Sequence, residues 1–239
     1  MFFEFDHVSF AYGDIKALDD LSFSGERGQI IGLIGENGAG KSTAIKTIVR
    51  YLRPDEGHIF LNGQDVFRIR QEKYPVSYIP DVPVFYEELS LMEHLHFTKA
   101  LFPGNPLSIG EVVDLLELRE HGNKIPAALS KGTRQKLMIA IALLREYELL
   151  IADEPFSGLD PKQIANLKRL LLAQKEQNKM VILSSHLLDL AENICDRYVM
   201  IRRGSILAEG TKEELLSRAD ISEGASLERI YLKLVEDYV

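Results

Sequence analysis

"LIGENGAGKSTAIK", residues 33–46, decides how the rest of the chain is read. Gly35 to Ser42 fit G-x-x-x-x-G-K-[ST] (Walker A), after a short apolar run, "GQIIGLIG", and before a helical pattern. The glycines let the main chain wrap closely around a phosphate group. Successive N–H groups and the start of the following helix supply positive potential there. Gly35, Asn37, Gly38, Ala39 and Gly40 form the expected cradle. Lys41 is placed to reach the β and γ phosphates, Ser42 to hold Mg²⁺, and Thr43 to face the α-phosphate. The helix after Lys41 is expected to line up Ile45, Ile48, Val49 and Leu52 on one face.

The second half of the site lies at "LLIADEP". A continuous apolar run, 148–153, marks a parallel strand covered on both faces. It carries Asp153 to its C-terminal end, where α/β sheets bind ligands, and a carboxylate there suits the Mg²⁺ shell. Glu154 follows. If the backbone turns at the strand end, Glu154 faces the γ-phosphate and orients an attacking water.

Around these motifs the chain alternates in texture. "FFEFDHVSF" alternates as a strand, and "HIFLNGQDV" reads as a hairpin with a primed turn at Asn62-Gly63. Residues 86–145 lack strand-like runs and read as helices inserted between two halves of a sheet. "MVILSS" (180–185) is a further buried strand. Between it and 148–153, Asp160, Pro161 and Gln163 make an N-cap, a first-turn proline and a capping box, so a βαβ crossover is expected. "YVMIRRGSILAEG" (198–210) reads as a late hairpin. The tail sets Leu227, Ile230, Tyr231 and Leu234 at helical spacing.

Composition narrows the class. The chain has 239 residues, 46% hydrophobic and 27% charged, with a net charge of −8. That is a globular composition, and a basic nucleic-acid face is not expected. One cysteine, Cys195, leaves no internal disulfide and reads as a small buried hydrophobe. No apolar run approaches the ~18 residues of a membrane span, and the start lacks a signal peptide's basic and apolar regions. A cytosolic protein is expected.

Three more pieces fix the order of motifs: "LSKGTRQKL" from Leu129, "SGLD" at 157–160, and His186 in "SSHLLD". With the cradle and the Asp-Glu strand, this order resembles the nucleotide-binding domain of ATP-binding cassette (ABC) ATPases over nearly the whole chain. The resemblance implies an α/β fold of the P-loop NTPase class. Its parts are a RecA-like parallel-sheet core (1–85 and 146–217), an antiparallel β subdomain within it, a helical subdomain (86–145) and a C-terminal helical tail (218–239).

It also implies a dimer with a second ATPase subunit, of the same chain or a close one, sandwiching ATP head to tail. Ser130 and Gly132 would face the partner's γ-phosphate, Asp160 would couple the two sites, His186 would contact the γ-phosphate, and Tyr12 would stack on adenine. Separate membrane-spanning subunits would dock near Val84, Phe85 and Tyr86 and hold the protein at the inner face of the cell membrane. No nucleic-acid partner is expected.

Two departures stand out. The element usually reading LSGGQ is here Leu129-Ser130-Lys131-Gly132-Thr133, which is similar to ATPase subunits of bacterial exporters. Where the family usually has Gln after "IP", this chain has Asp81, a carboxylate suited to Mg²⁺. The stretch from "SYIPD" to "LMEHL" looks most like the ATPase subunit of Ecs-type exporters. Two rival readings remain. A soluble ATPase serving an iron–sulfur assembly scaffold shares every motif and differs only in its partner. A phosphotransferase shares the cradle but needs neither the LSxG element nor the Gly-Leu-Asp loop. His94 and His96 in "EHLHF", two apart on a helix, point to different faces and read as surface residues.

Overall fold

The protein is described from a computed structural model covering residues 1–222 and 224–237. Its elements, in chain order, are β1 (Phe3–Tyr12), β2 (Ile15–Gly25), β3 (Ile30–Ile34), α1 (Lys41–Ile48), β4 (Glu56–Leu61), β5 (Gln64–Asp65) and β6 (Val76–Ile79). Three helices follow, α2 (Leu91–Leu101), α3 (Ile109–Leu115) and α4 (Lys131–Leu143). Then come β7 (Leu149–Ala152), α5 (Pro161–Glu176), β8 (Met180–Ser185), α6 (Leu188–Glu192), β9 (Arg197–Arg202), β10 (Ser205–Gly210), α7 (Lys212–Arg218) and α8 (Leu227–Asp237).

The central sheet has the order β10-β9-β3-β8-β7-β6, parallel except for the edge strand β10. Its inner strands β3, β7 and β8 are mostly apolar because both faces are covered, and the period of two divides their side chains between two cores. Ile31, Leu33, Leu149, Ile151, Met180 and Ile182 face α1 and the antiparallel sheet β2-β1-β4-β5. Ile30, Leu150, Ala152, Val181 and Leu183 face α4 and α5. β3 sits between β8 and β9, so the chain order reverses beside it, and residues 35–42 emerge at that switch point.

Most sequence expectations for the elements hold. Asp160 caps α5, accepting from Gln163 N–H at 2.9 Å, and the capping box is complete. Asn62 and Gly63 have φ 52° and 73°, the primed turn. Leu227, Ile230, Tyr231 and Leu234 are the buried face of α8. Glu223, Tyr238 and Val239 of the expected tail lie outside the described residues.

Three expectations are corrected. Leu52 is not on the α1 face, since the helix ends at Ile48 and Arg50 takes φ 64°. The alternation of β1 breaks at His7, φ 51°, where a bulge shifts the register on β2. His94 is not a surface residue: it is 3% exposed, while His96 is exposed on the other side of α2. Cys195 is partly buried, and desolvation pushes its thiol up.

Candidate functional site

The 35–42 loop is fixed from two sides. A Cβ on Gly35 would lie 2.3 Å from the Ile201 carbonyl of β9. At Gly40, φ 117°, it would lie 2.8 Å from the Ala17 carbonyl of β2. Only glycine allows that approach on both sides. Gly38, φ 81°, faces open space. α1 begins at Lys41, so the N–H groups of Lys41, Ser42 and Thr43 have no partner within the helix. They point from a helix N-terminus that favours an anion. Lys41 is 5% exposed, and its ammonium donates to Gly35 O at 2.7 Å and Glu36 O at 3.2 Å.

β7 delivers the carboxylates. Asp153, whose N–H donates to Ile79 O at 2.8 Å, is buried at the strand end. Its Oδ1 accepts from Ser42 Oγ at 3.2 Å and from Ser184 Oγ at 2.6 Å. The backbone then turns sharply: Glu154 takes φ 45°. That turn brings its Oε1 to 3.7 Å from Lys41 Nζ and its Oε2 to 2.9 Å from His186 Nδ1. The His186 main-chain N–H reaches the same oxygen at 3.4 Å. The structure therefore brings Lys41, Ser42, Asp153, Glu154 and His186 together from α1, β7 and the end of β8.

Ser184 was not among the sequence candidates. Its hydroxyl donates to Asp153 and accepts from Glu154 N–H at 2.9 Å, so it orients the Asp153 carboxylate and fixes the main-chain turn at Glu154. A signal existed: a serine that closes an apolar run read as a buried strand must find a polar partner.

Ser130, Gly132 and Asp160 form a second cluster. Ser130 caps α4, accepting from Thr133 N–H at 3.1 Å. A Cβ on Gly132 would sit 2.9 Å from Gln163 Oε1, and the Lys131 stem lies against Gly158. The start of α4 thus leans on the 157–163 loop of the same chain. Among the described residues no hydrogen bond or ion pair joins this cluster to the 35–42 cradle.

Tyr12 ends β1, half exposed, with its ring edge-on to Phe10 at 4.9 Å. It belongs to the β1–β2 hairpin whose Ala17 carbonyl crosses Gly40. Asp81 is exposed two residues beyond Ile79, the residue paired with Ala152 on β7. Burial, then the charges of Asp153 and Asp81, push the Tyr78 phenol up. Val84 and Tyr86 are 79% and 59% exposed, whereas Phe85 turns inward against the α2–α4 core.

The donor set fits Mg²⁺. Ser42 and Asp153 offer hard oxygens beside the cradle, which matches an ion that keeps several waters and binds through one or two protein oxygens plus phosphate.

The ABC transporter family model matches residues 18–157. The ABC-type transporter ATP-binding protein EcsA of Bacillus subtilis (strain 168) is 39% identical over 226 residues, covering 92% of this chain and 91% of that one. The bacitracin transport ATP-binding protein BcrA of Bacillus licheniformis is 35% identical over 210 residues, covering 87% and 69%. A solved structure of the ATP-binding subunit of an ABC transporter superposes with a TM-score of 0.91 at 36% identity, covering 98% of this chain and all of the other.

Proposed function

This chain belongs to the ABC transporter family of ATP-binding subunits and hydrolyses ATP, and from that we propose that it is the motor of an exporter. The observation that carries the site assignment is the convergence of Lys41 and His186 on Glu154, next to the Ser42–Asp153 pair. In this reading the cradle (Gly35, Asn37 to Thr43) binds the ATP phosphates and Tyr12 stacks on the base. On binding, the Lys41 ammonium exchanges its two carbonyl partners for phosphate oxygens. Glu154 accepts a proton from the attacking water while the water oxygen bonds to the γ-phosphorus and the bridging oxygen leaves. His186 holds the carboxylate toward that water. Ser42, Asp153 and Asp81 would hold Mg²⁺, which when bound screens the phosphate charge.

The LSxG cluster is complete but stands apart from the cradle, and this favours a second subunit that brings its own Ser130 and Gly132 to the ATP. We assign 1–85 and 146–217 to the nucleotide-binding core, 86–145 to the helical subdomain and 218–239 to the tail.

Tyr86 and Phe97 meet edge-on, with Val82 and Val84 exposed in the same loop as Tyr86 and Leu101 exposed one turn beyond Phe97 on α2. An apolar surface of this kind suits a helix from a membrane subunit. No helix among the described residues is long and apolar enough to cross a membrane, so the chain is assigned to the inner membrane face through that contact. Export is favoured by the Lys131-containing element, and a relative named for bacitracin transport supports transport as such.

The test is purification of tagged Glu154→Gln from detergent-solubilised membranes of its own cell with ATP. ATP-dependent recovery of one stoichiometric multi-span protein, lost when Val84 and Tyr86 are made Asp, is expected. A soluble scaffold alone would overturn the transporter reading and leave the ATPase.

A further inference from the structure

The loop from Asp81 to Tyr86 is held by a residue outside it. His94, in α2, is buried, and both ring nitrogens are engaged. Nδ1 stands 2.8 Å from the Ser90 carbonyl, which only accepts, so Nδ1 carries the proton and donates. Nε2 stands 3.1 Å from the Tyr86 main-chain N and accepts its N–H. The same Ser90 carbonyl accepts His94 N–H at 3.0 Å, and Ser90 is fixed by its capping box with Glu93. The imidazole is therefore tied to the first turn of α2. Two consecutive rings straddle it: Phe85 edge-on at 5.6 Å and Tyr86 tilted at 6.1 Å. Phe85 goes into the core and Tyr86 outward, so one side chain sets which ring the loop presents.

A residue needed for volume alone would use neither nitrogen. We propose that His94 is the positioning residue of the 81–86 loop: its neutral, Nδ1-protonated ring fastens the Tyr86 main chain to α2, so that a movement of α2 carries Asp81 with it relative to Asp153. The link to Asp81 rests on the reading of this loop as the segment between the docking surface and the metal site. The fastening itself does not.

Three variants of the full chain separate the possibilities. His94→Gln keeps an acceptor near the position of Nε2. His94→Asn keeps a donor near Nδ1 but is too short to meet Tyr86. His94→Phe keeps the ring without either bond. Amide hydrogen exchange at Tyr86 and the Mg²⁺ concentration that half-saturates ATP hydrolysis are the readouts. In the Asn and Phe variants, loss of one hydrogen bond should speed Tyr86 exchange by roughly tenfold. The half-saturating Mg²⁺ should rise in the same two variants. The Gln variant should match the wild type in both. Wild-type exchange in both Asn and Phe, or a Gln variant as fast as Asn, overturns the proposal. If Asp81→Ala leaves the Mg²⁺ titration unchanged, the metal reading of Asp81 fails, and Tyr86 exchange alone decides the role of His94.

Discussion

His186 Nδ1 stands 2.9 Å from Glu154 Oε2, while Lys41 Nζ lies 3.7 Å from the other oxygen of the same carboxylate. The side chain of Glu154 is only 15% exposed, so both neighbours act across little solvent. Removing the negative charge while keeping the shape isolates the proton-accepting role. Glu154→Gln should lower ATP turnover by about 10² to 10⁴-fold with ATP affinity retained. Steady-state hydrolysis together with a nucleotide-binding isotherm reads both quantities. Turnover near that of the wild type would sink the assignment.

The proposal that His186 acts through Glu154 has a kinetic consequence. His186→Ala should lower turnover by less than Glu154→Gln. The double variant should be no slower than Glu154→Gln alone, because groups acting as a unit are not additive. Independent, multiplying losses in the double variant would show that His186 works directly on the phosphate.

Ser184 bridges Asp153 Oδ1 and Glu154 N–H from inside a fully buried strand. Ser184→Ala leaves a buried carboxylate short of a donor and a turn N–H short of an acceptor. A loss of about 1–3 kcal/mol in denaturant unfolding is expected, with a fall in turnover. Unchanged stability and unchanged turnover together would mean that water replaces the hydroxyl and that Ser184 orients nothing.

The cradle and the α5 cap, with the crossover it opens, were legible because each depends on local chemistry: glycine φ, a helix start, a capping box. Glu154 was legible only conditionally. An alternating strand would have pointed it away from Asp153, and the φ of 45° that turns it back is a tertiary demand. β2 carries the Ala17 carbonyl that makes Gly40 obligatory, yet its sequence, "IKALDDLSFSG", mixes charge and apolar residues without a clear period. His94 was misplaced at the surface for a similar reason. A histidine's burial depends on which loop folds over it, and Phe85 and Tyr86 fold back onto α2 from the irregular loop that precedes it.

Glu192 ties the tail to the body. Its carboxylate accepts from Lys212 Nζ at 2.6 Å and from Leu227 N–H, the first residue of α8, at 2.8 Å. Burial raises its pKa, but the Lys212 ammonium and the Leu227 N–H outweigh this, and the folded value lies below the ordinary 4.5. The sign follows. The contribution is full above 4.5 and is lost as pH falls through the folded value. Acidification should release protection of α8 amides before those of β8, and Glu192→Gln should remove that acid-dependent step. Equal acid sensitivity in the variant would place the tail's attachment elsewhere, in the apolar face of Leu227, Ile230 and Leu234.

Gly132 offers a test that separates stability from function. Alanine is the better helix former by about 0.8–1 kcal/mol in an interior, less in a first turn. A Cβ there would come within 2.9 Å of Gln163 Oε1, the far end of a flexible side chain that also accepts from Asp160 N–H at 3.3 Å. Gln163 can swing aside, giving up a weak arm of the α5 capping box, so the two effects oppose and the net change in stability should stay within about 1 kcal/mol. Catalysis has no such compensation if the start of α4 must approach an anion on a second subunit, because the added methyl and the displaced Gln163 side chain crowd the helix start that makes the approach. Gly132→Ala should therefore unfold like the wild type yet hydrolyse ATP at least about tenfold more slowly, a loss of the size expected for one displaced charge-assisted contact. Full turnover with unchanged stability would reduce Gly132 to a packing residue against α5 and remove the LSxG element from the reaction.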